Sequence, residues 1–286
     1  MAKPKKPPHA KGRRVCIFCG GASGASISKE HVFGLWLKDL FPRDNTTNHD
    51  AILVEWPDEL GPQSETETRS KKQGHVGSKK LRVLCERCNN ERFGNLEDRV
   101  KKALPPLITG GRANILPDGQ TLLATWAVKT AIVSEHFKPV ESGIPQEDRT
   151  WLLENMTPPK QGWFVWIGAY SGVRWRDLSI YQSRLGLSPA PVASPSAAPY
   201  YAQATTFGVG HIIFCVVSSD SPTIGMFAGH EPDGLFQIWP RQERSILWPP
   251  MRILDDNYAN ILANIFKYSG IFDQSFDPGA NWAFTL

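Results

Sequence analysis

Lys80-Leu81-Arg82-Val83-Leu84-Cys85-Glu86-Arg87-Cys88-Asn89-Asn90 is the stretch on which the fold turns: a short strand-like run that ends in a CxxC pair and passes straight into two asparagines. A second pair, Cys16-Ile17-Phe18-Cys19, lies upstream, with 65 residues between Cys19 and Cys85. Four thiolates in two such pairs have the number and spacing to surround one tetrahedral Zn2+. Four sulfurs close that shell. Glu30-His31, soon after the first pair, and Asn89, directly after the second, are therefore left for other chemistry, such as a second site for a hard cation.

Metal competes with disulfide as the reading of the cysteines. The chain has five, an odd number. Its N-terminal residues contain no apolar signal core. Runs such as Ile212 to Val217 are far too short to span a bilayer. The expectation is a cytoplasmic protein with no membrane partner, where thiols stay reduced and CxxC pairs mean metal. Cys215, inside the apolar run 212–217, reads as a buried small hydrophobe.

Charge is distributed unevenly. Residues 1–102 carry 20 Lys/Arg against 13 Asp/Glu, and the remainder carries 12 against 15. The basic part is the part with the knuckles, as expected of a module that meets phosphates. A solvated basic face with no partner would look the same.

Local patterns divide the 286 residues into three. Residues 1–14 are Lys/Arg/Pro-rich and read as a disordered basic tail. Residues 15–106 read as a knuckle module: a strand at Val15–Phe18, a glycine turn, and a helix opening at Ser28 with Val32, Leu35, Trp36 and Leu40 on one face. A polar excursion over 43–80 follows, containing a strand at Ala51–Trp56. A strand then feeds the second pair, and a helix runs from Asn89 to Ala103 with Phe93, Leu96 and Val100 on one face. A hairpin backed by one helix with metal between them is a ββα-metal arrangement. Residues 107–286 read as an α+β domain with a mostly antiparallel sheet. Its parts are a helix over Thr121–Phe137, a short helix around Trp151, and strands at 162–170, 173–181, 205–218, 223–227 and 235–239. A Pro/Ala/Ser-rich loop covers 186–199, and a helix from Asp255 to Tyr268 closes the domain. Trp126, Trp151, Trp163, Trp166 and Trp175 read as core, and His136, His211 and His230 as structural or surface residues.

Phosphodiester hydrolysis needs an activated water and a cation on the developing phosphate charge. A neutral imidazole can take the water proton near pH 7. A carboxylate and an amide oxygen suit Mg2+ or Mn2+, which keeps its other positions for water and phosphate. Glu30, His31 and Asn89 supply that set, and the cysteine clamp explains how residues so distant in sequence could meet. Lys80, Arg82, Arg87 and Arg92 are candidates for contacting phosphates, although basic side chains on an exposed surface are ordinarily just solvated.

The order CxxC, Glu30-His31, CxxC-Asn89 resembles the zinc-knuckle HNH endonucleases, including bacterial and phage-borne members. Ser28-Lys29-Glu30-His31-Val32-Phe33, Cys88-Asn89-Asn90 through Leu96-Glu97, Trp126-Ala127-Val128-Lys129-Thr130 and the pairs Trp239-Pro240 and Trp248-Pro249 are similar as well. Specific motifs cover about a third of the chain. The resemblance implies His31 as general base, Glu30 and Asn89 as ligands of a catalytic Mg2+ or Mn2+, and the four cysteines as a structural Zn2+ site. It also implies DNA or RNA as partner and a role in phage defence or mobile-element competition. Asn90 and Glu97 are second-rank candidates for the metal shell or for helix packing. One position departs from the family pattern: Lys80 stands where an asparagine usually orients the general base. That departure supports the alternative of a non-catalytic zinc ribbon that binds nucleic acid; a protein-interaction module, with zinc serving stability only, is a third reading.

Overall fold

The computed structural model describes residues 15–41, 48–56, 66–73, 80–137, 143–176, 178–187, 200–221 and 234–265. The basic tail, His75, His230, the strand expected at 223–227 and most of the 186–199 loop lie outside them. The architecture is α+β, and among the described residues its strand pairs are antiparallel with one exception.

The knuckle region is built on a two-stranded antiparallel ladder, β1 (Ile27–His31) against β4 (Lys80–Cys85), with His31 opposite Lys80 and Ser28 opposite Leu84. Ser28–His31 is thus strand, not the start of a helix. Of the residues at 3–4 spacing, Val32 is buried, Trp36 and Leu40 are partly buried and Leu35 is exposed, around a single 3-10 turn at Leu35–Asp39 whose buried residue is Leu37. Residues 27–31 give their backbone hydrogen bonds to a partner some fifty residues away, which local periodicity does not register. Val15–Phe18 is a turn-forming knuckle, not a strand. Its Ile17 N–H donates to Val83 O at 2.9 Å, and Gly20 and Gly21 follow at positive φ. After Cys88 one π-type turn (Cys88–Phe93) leads into α1 (Gly94–Ala103), where Leu96 and Val100 are buried. A single turn, α2 (Pro105–Ile108), comes next.

The 43–80 segment does more than hang from the knuckles. Its strands β2 (Asn48–Trp56) and β3 (Thr66–Gln73) form the edge of a seven-stranded sheet, and β2 runs parallel to β7 (Ser179–Leu187). The remaining strands are β6 (Trp163–Ala169), β8 (Tyr200–Val209), β9 (Ile212–Ser219) and β10 (Phe236–Trp239), in the order β10-β6-β9-β8-β7-β2-β3. The run expected as one strand over 205–218 is a hairpin that turns at Gly210–His211, and residues 173–176 are bend and turn instead of strand. A small ladder pairs β5 (Ala113–Ile115) with β11 (Ile246–Trp248).

Helix α3 (Pro117–Ser134) lies between the knuckle region and the sheet. Residues 123–134 are buried all around it, so it shows no amphipathic stripe. Trp126 meets Phe207 and Phe214 edge-on at ring-centroid separations of 5.7 and 5.5 Å. Phe33 reaches Phe207 at 5.8 Å, and Phe18 packs on Phe93 at 4.5 Å. One apolar cluster therefore runs from Cys16 and Phe18 through α1 and α3 to the sheet. Helix α4 (Gln146–Asn155) closes over the knuckle, with Gln146 Nε2 donating to Phe18 O at 2.9 Å. The opposite sheet face, with Trp166, Trp175, Tyr181 and the fully buried Cys215, is covered by α5 (Asp256–Ala263). Of the five tryptophans expected in the core, only Trp151 is exposed, at 38%.

Candidate functional site

Among the described residues, Cys16, Cys19, Cys85 and Cys88 come together with all four Sγ atoms within 4.8 Å of one another. A tetrahedral Zn–S distance near 2.3 Å requires sulfurs about 3.8 Å apart. Cys19 and Cys85 Sγ stand 3.9 Å apart, well beyond the length of a disulfide. The cluster could hold a metal ion such as zinc. Burial pushes the Cys16 thiol up, and burial together with the neighbouring thiols pushes Cys88 up. A dication among the sulfurs removes that obstacle to deprotonation. Burial also acts upward on Cys19, but hydrogen bonds to the amide and hydroxyl of Ser23 outweigh it and bring the thiol to about 6. Ser23 Oγ lies 3.0 Å from Cys85 Sγ and accepts from Ala25 N–H at 3.3 Å. It is a supporting residue that the CxxC spacing does not reveal.

The cysteines hold the β1–β4 ladder against the start of the helix. Asn89, on the first turn after Cys88, donates its amide to Ser28 Oγ at 3.1 Å, and Ser28 Oγ donates to Leu84 O at 3.2 Å. Asn89 is thus bonded two residues before Glu30 on the same strand. His31 ends that strand opposite Lys80 and is half-buried. Among the described residues its buried Nε2 has no hydrogen-bond partner. Burial, followed by the charges of Lys80, Lys38 and Lys129, lowers the imidazole to about 4, so it is neutral at pH 7.

Glu30 is buried and bonded. Its Oε1 accepts from the ammonium of Lys129, a residue of α3 whose side chain is 0% exposed. The same ammonium donates to Glu97 Oε1 at 3.2 Å. Glu97 also accepts from Trp126 Nε1 at 3.0 Å and, on Oε2, from Trp36 Nε1 at 2.9 Å. Burial works against the charge on Lys129, but the two carboxylates more than compensate and raise it. Among the described residues Glu30 Oε2 and Asn89 Oδ1 accept no hydrogen bond, which leaves one carboxylate oxygen and one amide oxygen, the donor types a hard cation takes. Nothing in the CxxC or Glu-His spacing points to Lys129. The signal was available in Trp126-Ala127-Val128-Lys129-Thr130-Ala131-Ile132-Val133, a lysine in a helix too apolar to have a wet face.

Lys80 and Arg82, two residues apart on β4, are both exposed on its outward side. Arg87 and Arg92 are exposed on the other side of the cysteines, where with Cys19, Cys88 and Leu153 they line a cavity of about 260 Å3. Arg87 pairs with Glu91 at 3.4 Å. No helix among the described residues is long and apolar enough to cross a membrane. Comparison with protein-family models, curated proteins and solved structures gives no match.

Proposed function

We propose that this chain is an HNH-type nuclease that hydrolyses phosphodiester bonds in DNA, using a zinc-stapled ββα module. The observation that carries the reading is the placement of Glu30-His31 at the end of β1, on a ladder that the four cysteines tie to the helix carrying Asn89. His31 is the general base. Its ring is neutral at pH 7, and among the described residues its buried Nε2 has no competing partner. Glu30 Oε2 and Asn89 Oδ1 are the atoms that would hold Mg2+ or Mn2+, whose chemistry is to stabilise charge developing on the phosphate. Lys80, opposite His31, and Arg82 beside it on the outward face supply cationic contacts to the backbone, with Arg87 and Arg92 extending the basic surface.

The test is conversion of supercoiled plasmid to open circles by zinc-loaded protein in Mg2+ or Mn2+. His31→Ala should slow nicking by about 10²- to 10⁴-fold, the usual contribution of a general base. Equal rates in the two proteins would remove His31 from the mechanism.

A second reading, a non-catalytic zinc ribbon that binds nucleic acid, draws on two observations: Glu30 already carries an ion pair with Lys129, and Lys80 faces His31. It predicts salt-dependent DNA binding with no divalent-dependent cleavage.

A further inference from the structure

Lys129 is buried with two carboxylates on its ammonium, one from β1 and one from α1, while its own backbone belongs to α3. An unpaired ammonium at that depth would be prohibitively costly. Two carboxylates converging on one buried point are equally untenable without a cation between them. They are also an oxygen ligand set of the kind that takes a divalent ion. Here the cation is covalently part of the chain.

We propose that Lys129 is a positioning residue, a tethered cation that fills the seat between Glu30 and Glu97 and so prevents a divalent ion from settling there. Glu97 accepts from Lys129 and Trp126 on Oε1 and from Trp36 on Oε2, so both of its oxygens are already engaged. Glu30 is held through Oε1, which fixes the carboxylate and leaves Oε2 as its one free oxygen. The close fit extends to Gly34, where a Cβ would lie 2.2 Å from Glu97 Oε2 and 2.4 Å from Trp36 Nε1. On the nuclease reading, on which this second part rests, one carboxylate oxygen and one amide oxygen hold a hydrated divalent ion only weakly. The ion is then completed by phosphate oxygens and enters together with the nucleic acid.

The experiment measures Mn2+ binding to zinc-loaded protein without nucleic acid, together with Tm with and without Mn2+. Native protein should bind Mn2+ weakly. Lys129→Gln should lose Tm, regain it in Mn2+ and bind the ion at least about tenfold more tightly, because the seat regains a full negative charge. Lys129→Arg, which keeps the charge, should match native protein. Lys129→Gln combined with Glu97→Gln should bind no better than native. The proposal is overturned if Lys129→Gln folds yet gains no affinity. It is equally overturned if that variant stays unfolded at saturating Mn2+, since the ion should replace the ammonium, or if the double variant binds as tightly as the single one. None of these readouts needs cleavage, so a protein that never nicks DNA leaves this test standing. Plasmid nicking at low Mn2+, with and without preincubation of the protein with the ion, tests the order of entry separately.

Discussion

The knuckle region and the seven-stranded sheet share one apolar cluster but add different things to it. In the sheet, β9 is buried at every position from Ile212 to Ser219, and Phe207 stacks on Phe214 at 4.8 Å. Area removed from water carries that half. The β1–β4 ladder has strands of five and six residues, and β4 turns exposed Lys80 and Arg82 outward. A two-stranded ladder of that length is marginal by itself. Val32, Phe33, Leu84 and Phe93 bury it in the apolar cluster shared with the sheet, and point attachments add to that: four cysteines at one end and the Glu30–Lys129–Glu97 cluster at the other. The part of the molecule proposed to do chemistry shares the apolar cluster that runs to the sheet and adds to it a few thiol and ion-pair attachments that fix where Glu30 and Asn89 stand.

Loss of the metal at the four cysteines should cost the knuckle region most. Zinc should be present at one per chain, and Cys85→Ser or chelation should lose it. Structural zinc contributes on the order of 10 kcal/mol in small modules. Hydrogen exchange should then show Ile17 and Glu86 amides, which donate to Val83 O and Ser26 O, losing protection while β8 and β9 retain theirs. Phe214→Ala attacks the other side. Its cost should be about 3–5 kcal/mol by urea unfolding, with zinc content unchanged. Gly34→Ala tests the seam between the two regions. The added methyl meets Glu97 and Trp36 and should cost about 1–3 kcal/mol, visible as a lower Tm.

The smallest effect concerns Asp148 on α4, which accepts from Trp163 Nε1 at 2.8 Å. Burial raises its pKa, against the opposing pull of that hydrogen bond. The folded state therefore favours the protonated acid. No penalty exists at a pH below the unfolded carboxyl value, and stability is lost as pH rises through the raised folded value. Asp148→Asn keeps an acceptor for Trp163 and removes the charge. It should raise stability slightly at pH 7, by under about 1 kcal/mol given partial exposure, seen as a higher Tm, with the gain vanishing as pH falls toward 4. A gain that persists undiminished at low pH would mean that charge is not its cause.

What could be read from the sequence was whatever one short segment states alone. Two CxxC pairs declare a shared site, and an apolar stretch between Pro117 and Phe137 declares a helix. Cys215 in an apolar run declares burial. What could not be read depends on partners far away. Ile27–His31 is strand because Lys80–Cys85 is there to pair with it. The 43–80 segment supplies sheet edges because β7, well over a hundred residues later, accepts β2 alongside. Glu30 looked like a free carboxylate because Lys129 lies 99 residues further on. Asn89 follows the second CxxC pair in the sequence, but its bond to Ser28 depends on β1 lying alongside β4.

The distance along the chain between Glu97 and Lys129 also bears on synthesis. A ribosome adding roughly 5–20 residues per second releases both acidic members of the cluster seconds before the lysine that neutralises them. During that interval the β1–β4 ladder and α1 carry two carboxylates with no counter-charge, and they cannot close on each other without burying both. The nascent knuckle can gather its cysteines early, but Glu30 reaches its final position only after α3 has been made.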